Sequence, residues 1–444
     1  MPARLHPSLG TSGFRPTRVR WQIVAMLTLI TALTYLDRMN MGIAGKYIQD
    51  EFAFNTQTMG WILSAFVLGY ALFQVPGGWL GDRYSPRGVL TGAILWWSLF
   101  TAITGLVPRL PLRHWMGLVG SFILIRFLIG MGEAACLPNS NKIIAFWIGE
   151  NRRGVANSMF LTGIGLGGAL TPLLISSIMQ RWGWEMSFYI SGGLGVFVAV
   201  AWYVFATSRP EEHSSVNAGE LEIIRKRAQP PDAPAREQNP ERLKTPWKKL
   251  LGNVSTWCLM LSYFCEGYPN YIFYTWFFIY IVRVRGLTIK QGGLWGAAPF
   301  LSILIFAPLG GWFSDRATTQ FGKRRGRQLT VWVGMTCSAI LMTLGAHATG
   351  NVMAILFLSG AVGCNMFATS TWWATCNDLT RNFSGALSAL MNMCGNLGGW
   401  ISPILTAYIA VHLGWTHALD FAAMITFIAG VLWIPLNADQ NLEV

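Results

Sequence analysis

The chain has 444 residues, of which 52% are hydrophobic and 12% charged, and its mean hydropathy is +0.41. Soluble proteins carry about 25% charge, and here the apolar residues come in blocks of about 20, the length that crosses a bilayer core about 30 Å thick. A soluble enzyme and a nucleic-acid binder are excluded, because the basic residues behind the net charge of +13 sit in short loops between apolar blocks, where Lys and Arg set topology.

The first 20 residues are polar and basic, and the apolar block after them is too long for a signal-peptide core, so Trp21 onward is expected to remain as a membrane helix. Apolar blocks predict helices over 21–48, 58–81, 88–107, 117–147, 152–180 and 186–207, then over 251–282, 292–314, 328–347, 352–377, 384–411 and 415–435. The reading is an all-α polytopic membrane protein of twelve helices: a tail over 1–20, a six-helix bundle over 21–207, a polar loop over 208–250, a second bundle over 251–435 and a tail over 436–444. Most Lys and Arg lie in the N-terminal tail and in the loops after even-numbered helices, which puts both termini and the long loop in the cytoplasm. That loop carries Arg225-Lys226-Arg227 and the prolines Pro230, Pro231, Pro234 and Pro240, so it reads as a tether with a short amphipathic helix near 217–228. A lipid-binding patch is the alternative reading. The seven cysteines all fall within apolar segments, where they serve as small hydrophobes.

The two bundles repeat each other. Pro76-Gly77-Gly78-Trp79-Leu80-Gly81-Asp82-Arg83 returns as Leu309-Gly310-Gly311-Trp312-Phe313-Ser314-Asp315-Arg316, an offset of 233. Leu166-Gly167-Gly168 with Pro172 and Gly183-Trp184 returns as Leu397-Gly398-Gly399 with Pro403 and Gly414-Trp415, an offset of 231. Two nearly equal offsets at opposite ends of each bundle make the halves parallel structural copies, which in secondary transporters meet at a midplane cavity. The motif Gly78, Asp82, Arg83 and Arg87, echoed by Asp315 and Arg316, is expected to gate the cytoplasmic side. Gly78 would let helices approach, Asp82 would cap a facing helix N-terminus, and the arginines would reach acidic groups across the bundle. A solvated charged turn is the alternative, weakened by the duplication.

Charge inside the membrane is the strongest functional signal, since each charged side chain costs about 2.5–3.5 kcal/mol to insert. Helix 1 carries Asp37 and Arg38, about 24 Å from its start, and helix 4 carries Arg126 and Glu133, seven residues and about 10 Å apart on one face. Purely structural pairing, for example Asp37 with Arg126, is the plain reading. The functional one assigns Arg38 to a substrate carboxylate, because its planar fork matches an anion bidentately. Glu133 then loads and releases a proton, with Asp37 as a second candidate, and Arg126 pairs with one acid in one state and frees it in another. Further polar and aromatic candidates are Tyr35, Tyr70 and Gln74, then Trp276, then Trp372, then Asn392 and Asn396. Gly267 and Pro269 predict a break in helix 7, and mid-helix Glu266 stays unassigned between a third proton site and an aqueous vestibule.

The gating motif, the six-plus-six layout and its echo resemble the major facilitator superfamily over essentially the whole chain. Tyr35-Leu36-Asp37-Arg38-Met39-Asn40 and Gly132-Glu133-Ala134 are similar to its anion:cation symporter branch, which includes bacterial galactonate and hexuronate transporters and animal sialin-type carriers. The resemblance implies proton coupling at Asp37 and Glu133, substrate binding at Arg38, and substrate contact at Trp372 and Asn392. Where galactonate carriers have a fifth-helix glutamine, this chain has Gly163, which speaks against galactonate itself. The first outward loop is short, unlike that of the animal carriers, so a bacterial inner membrane is the expected home.

The histidines have no zinc-ligand spacing and no Walker loop occurs. No enzyme activity and no cofactor are therefore expected, and the proton gradient is the expected energy source. The expected function is proton-coupled symport of a small organic anion, such as a hexuronate or hexonate, by a monomer in a lipid bilayer. An anion exchanger or uniporter is the alternative within transport, and a ligand-binding membrane sensor the alternative outside it. A drug:proton antiporter is disfavoured by Arg38.

Overall fold

The computed structural model describes residues 16–148, 150–226, 247–380 and 384–440. Its membrane helices are α1 (Val19–Phe52), α2 (Thr56–Arg83), α3 (Pro86–Leu106), α4 (Arg113–Glu133 continued by Cys136–Trp147), α5 (Glu150–Trp182) and α6 (Trp184–Phe205). The second set is α7 (Val254–Thr275, extended by Phe277–Ile279 and a π turn at Tyr280–Val284), α8 (Ile289–Gly296 and 298–321), α9 (323–347), α10 (Asn351–Leu379), α11 (Ser384–His412) and α12 (Trp415–Val431). Among the described residues, eight stretches, with 289–347 as one, are long and apolar enough to cross a membrane by length and composition alone. Six crossings return the chain to its starting side, so both termini share one face, here the terminal face, opposite the far face.

Three local expectations are corrected. The gap predicted at 315–327 is helical: α8 runs on to 321 and α9 starts at 323, with one break at Gly322, whose φ of +80° is the left-handed region that glycine tolerates. Asp315 and Arg316 therefore stand on a helix, and the extension is held by Arg327, which donates to Ser314 Oγ at 2.7 Å and Asp378 Oδ2 at 3.1 Å. Helix 7 does not break at Gly267 or Pro269; α7 is continuous from Val254 to Thr275 and interrupted only at Trp276. Gly267 is there for contact, since a Cβ on it would lie 2.1 Å from Gly395 O of α11. The connecting segment carries the short helix expected near 217–228, and it is more than a tether. Its helix Ala218–Lys226 places buried Glu220 over the start of α1, where Oε2 accepts from Thr17 Oγ1 at 2.6 Å and Val19 N at 3.1 Å, and Oε1 from Arg20 N at 3.2 Å and Nη1 at 3.0 Å. Val19 N and Arg20 N are orphan donors of a helix N-terminus, whose own cap residue Arg18 makes no side-chain cap hydrogen bond. The Pro-rich tract and Arg227 lie outside the described residues, as do the side chains of Arg225 and Lys226.

Small residues set the helix spacing, as they do where lipid supplies no hydrophobic drive. A Cβ on Gly163 of α5 would sit 2.4 Å from Thr28 O of α1, so the position for which the resemblance implies a glutamine is taken up here by a helix crossing. Between the halves, the contacts recorded among the described residues run from the far face to mid-depth. Arg283 of α7 pairs with Asp50 of α1, Ser64 of α2 bonds Trp400 O of α11, and Gly293 of α8 lies against Pro172 and Ser176 of α5.

Candidate functional site

Glu133 ends the first segment of α4, one residue before the break at Ala134–Ala135. Its height is set by the α2–α4 crossing, where a Cβ on Gly130 would lie 2.0 Å from Phe66 O. That brings the fully buried Glu133 carboxylate to Arg38 of α1, whose Nε donates to Oε1. The guanidinium is caged by aromatic faces, 5.0 Å from the centroid of Tyr35, 5.2 Å from Phe66 and 4.5 Å from Tyr70. Cation–π attraction of this kind reaches about 2 kcal/mol once water is excluded. Arg126 stacks on the other approach to Phe66 at 4.7 Å and forms no ion pair among the described residues; nor does Asp37, which is buried with both oxygens lacking a hydrogen-bond partner. In this conformation the intramembrane ion pair is Arg38 with Glu133, not Arg126 with either acid.

The second half completes a polar ring at mid-depth. Tyr274 of α7 meets the Tyr35 ring edge-on at 5.7 Å and Tyr271 at 5.5 Å. The Tyr271 hydroxyl donates to Asn396 Oδ1 at 3.1 Å, and Asn396 Nδ2 donates to Gln74 Oε1 at 3.4 Å and to Asn392 O at 3.0 Å. Gln74 stands one helical turn from Tyr70, which returns to Arg38. Tyr35, Arg38, Tyr70, Gln74 and Asn396 are thus brought together with Glu133, Tyr271 and Tyr274, three helices of one half facing two of the other, whereas Asn392 enters only through its backbone carbonyl, one turn along α11. Tyr271 was not singled out from the sequence, although it stands three residues before Tyr274 and so shares its face.

Two proposed contacts lie elsewhere. Trp276 is fully buried, donates Nε1 to Pro403 O at 3.1 Å and packs edge-on against Trp415. Trp372 is fully buried in a cluster made only of second-half residues, bonded to Ser262 Oγ at 3.2 Å and against Trp433 at 5.4 Å. Both fill helix interiors and do not face the ring, because a large aromatic inside a bundle packs wherever a helix turns it inward. Glu266, unassigned from sequence, is buried on α7 with Asn270 Nδ2 at 2.6 Å and Thr369 Oγ1 at 3.0 Å, both donating to Oε1.

At the terminal face the repeated motif is internal to each half. Gly78 is not the close approach: a Cβ there would be 3.4 Å from Pro138, ordinary contact, whereas one on Gly77 would be 2.8 Å from Ala135. The echo is the same, with Gly310 1.8 Å from Phe367 O and Gly311 only 3.9 Å from Ser370 Oγ. Arg87 bonds Tyr203 O and stacks on its ring at 4.4 Å; Arg83 lies over Trp79 at 5.5 Å and Arg316 over Trp312 at 6.0 Å. Asp315 meets Arg327 at 3.6 Å. The arginines thus reach no acid across the interface among the described residues, and the Asp82 side chain lies outside the described residues.

A family model described as Major Facilitator Superfamily matches residues 27–403. The chain belongs to that superfamily. Among proteins of known name, it is 29% identical over 430 residues to the D-galactonate transporter of Escherichia coli O6:H1, covering 96% of this chain and 97% of that one. It is 28% identical over 432 residues to a protein of Escherichia coli K12 named as a probable galactarate/D-glucarate transporter, covering 95% and 94%. In fold it matches a bacterial homologue of the human lysosomal transporter Spinster, solved inward-facing and unoccupied, with a TM-score of 0.73, 17% identity and coverage of 94% and 96%. This is a multi-pass membrane transporter, and its relatives are named as transporters of anions and sugar acids.

Proposed function

We propose that this protein carries a small organic anion, a sugar acid such as a hexonate or hexuronate, together with a proton into a bacterial cell across its inner membrane. The observation that carries the reading is the buried Arg38–Glu133 pair at the centre of a ring drawn from both halves. A substrate carboxylate needs the same guanidinium that Glu133 now occupies. Protonating Glu133 removes its claim on Arg38 and leaves the cation, still caged by Tyr35, Phe66 and Tyr70, free to take a carboxylate in fork geometry. Proton and anion together add no net charge, so the loaded site returns to the charge balance of the empty one. That balance permits rocking of the halves without stranding an unpaired charge, whose burial is costly. Asp37 and Arg126 stand behind the pair as a second acid and a second cation.

The excess of Lys and Arg at the terminal face favours a cytoplasmic position for it. On that orientation the far face is the outer one, and its inter-half contacts support a carrier closed to the outside; the reading takes the carrier as a monomer. The energy source is then the proton gradient. The test is uptake into proteoliposomes under an imposed pH gradient: Glu133→Gln should abolish gradient-driven accumulation and retain counterflow exchange. Accumulation that survives in Glu133→Gln and ignores a protonophore would replace symport by exchange or uniport.

A further inference from the structure

Glu266 has no part in that cycle, yet it is a buried carboxylate near mid-membrane on α7, where an insertion cost of a few kcal/mol calls for a use. Its surroundings are built. Asn270 stands one turn along the same helix and Thr369 comes from α10, and both place their donors on the single oxygen Oε1. Oε2 receives no hydrogen bond recorded among the described residues, and no cation pairs with the group among them. Asn270 and Tyr274 follow Glu266 at i+4 and i+8 along one face of α7, and Tyr274 meets the Tyr35 ring at 5.7 Å, which in turn lies 5.0 Å from the Arg38 guanidinium. The same aromatic wall, Tyr35 and Tyr274, therefore connects a cation on one half with an acid on the other, and it is the surface along which a molecule anchored at Arg38 would extend toward Glu266.

We infer that Glu266 is a specificity-determining residue, which admits acids whose far end donates hydrogen bonds and excludes those whose far end is a second carboxylate. The inference rests on the proposed organic-acid function. A carboxylate with one oxygen held by two donors and the other open is an acceptor for substrate hydroxyls. Facing a second anion it is a like charge in a site with little water, and charge juxtaposition of that kind is how binding sites reject wrong partners. Hydroxylated mono-acids gain at this end, di-acids lose, and an acid with no hydroxyls gains nothing.

The experiment is competition binding to the purified full-length protein in nanodiscs, with D-gluconate, D-glucarate and hexanoate as probes. For the wild type, gluconate should bind at least about tenfold more tightly than either of the others. In Glu266→Gln the gluconate-to-glucarate ratio should collapse toward unity, by about tenfold, while hexanoate is unchanged. Glu266→Asp, which keeps the charge, should keep glucarate excluded, and this variant decides the matter if the glutamine form does not fold. A ratio untouched by Glu266→Gln, or glucarate bound by Glu266→Asp as tightly as gluconate, overturns the inference and leaves the transport reading standing. A wild type that binds none of the three probes overturns the organic-acid reading, and this inference with it.

Discussion

Replacing Arg38 with methionine keeps the volume and the aromatic cage and removes only the cation. Among the described residues Glu133 is then left fully buried with no hydrogen-bond partner, since there Arg38 Nε is the only donor on its Oε1 and Oε2 has none. Breaking a buried pair by deleting one member costs about 3–5 kcal/mol, because the survivor is a charge out of water. The opposite deletion is milder. In Glu133→Gln an amide oxygen still accepts from Arg38, and the guanidinium keeps three ring faces within 5.2 Å, so the loss is expected near 1–3 kcal/mol. The double variant Arg38→Met, Glu133→Gln removes both charges and should recover part of the first loss, so the coupling energy exceeds the Glu133→Gln loss itself and lies toward the upper end of the usual range of about 0.5–3 kcal/mol. Equilibrium unfolding of the purified protein in mixed micelles measures all three. Arg38→Met no more harmful than Glu133→Gln, or a double variant no better than Arg38→Met alone, would refute the claim that this pair is the charge balance of the site.

Three other outcomes follow from the packing. Glu220→Ala removes four hydrogen bonds at the start of α1 and should lower stability by about 1–3 kcal/mol, with faster amide exchange confined to the first turn of α1. Gly310→Ala puts a methyl 1.8 Å from Phe367 O, whereas Gly311→Ala meets only Ser370 Oγ at 3.9 Å; the first should lose the monodisperse peak on size-exclusion chromatography and the second retain it. At the far face, a Cβ on Gly293 lies 3.3 Å from Ser176 Cβ, close to disulfide geometry. The pair Ser176→Cys, Gly293→Cys should form a cross-link that stops transport and is reversed by reductant. Full transport in the oxidised form would mean that this face does not open.

What was legible in the sequence follows from the cost of the membrane itself. Asp37, Arg38, Arg126 and Glu133 stand out because charge in hydrocarbon needs a reason, and Gln74, Asn392 and Asn396 because an amide facing lipid has no partner. Tryptophans gave no such signal. Trp276 and Trp372 sit among residues equally content against lipid or inside a bundle, so no periodicity marks which side of the helix faces the substrate. Charged stretches beyond the membrane misled in the other direction. The run at 315–327 looked like a loop, although it is helical on both sides of Gly322, because outside hydrocarbon a polar helix and a polar loop share one composition.

Length, hydropathy and two internal repeats by themselves determined twelve crossings in two copied halves, and the intramembrane charges determined that something ionic happens between them. Tertiary structure alone decided the pairing. Two arginines and two acids on α1 and α4 allow four combinations, and the one formed was selected by glycine contacts that set the height of α4 against α2. It also decided that Tyr271 and Asn396 close the ring with Gln74, because a contact across the interface depends on how the two copies dock, which no property of either helix alone contains.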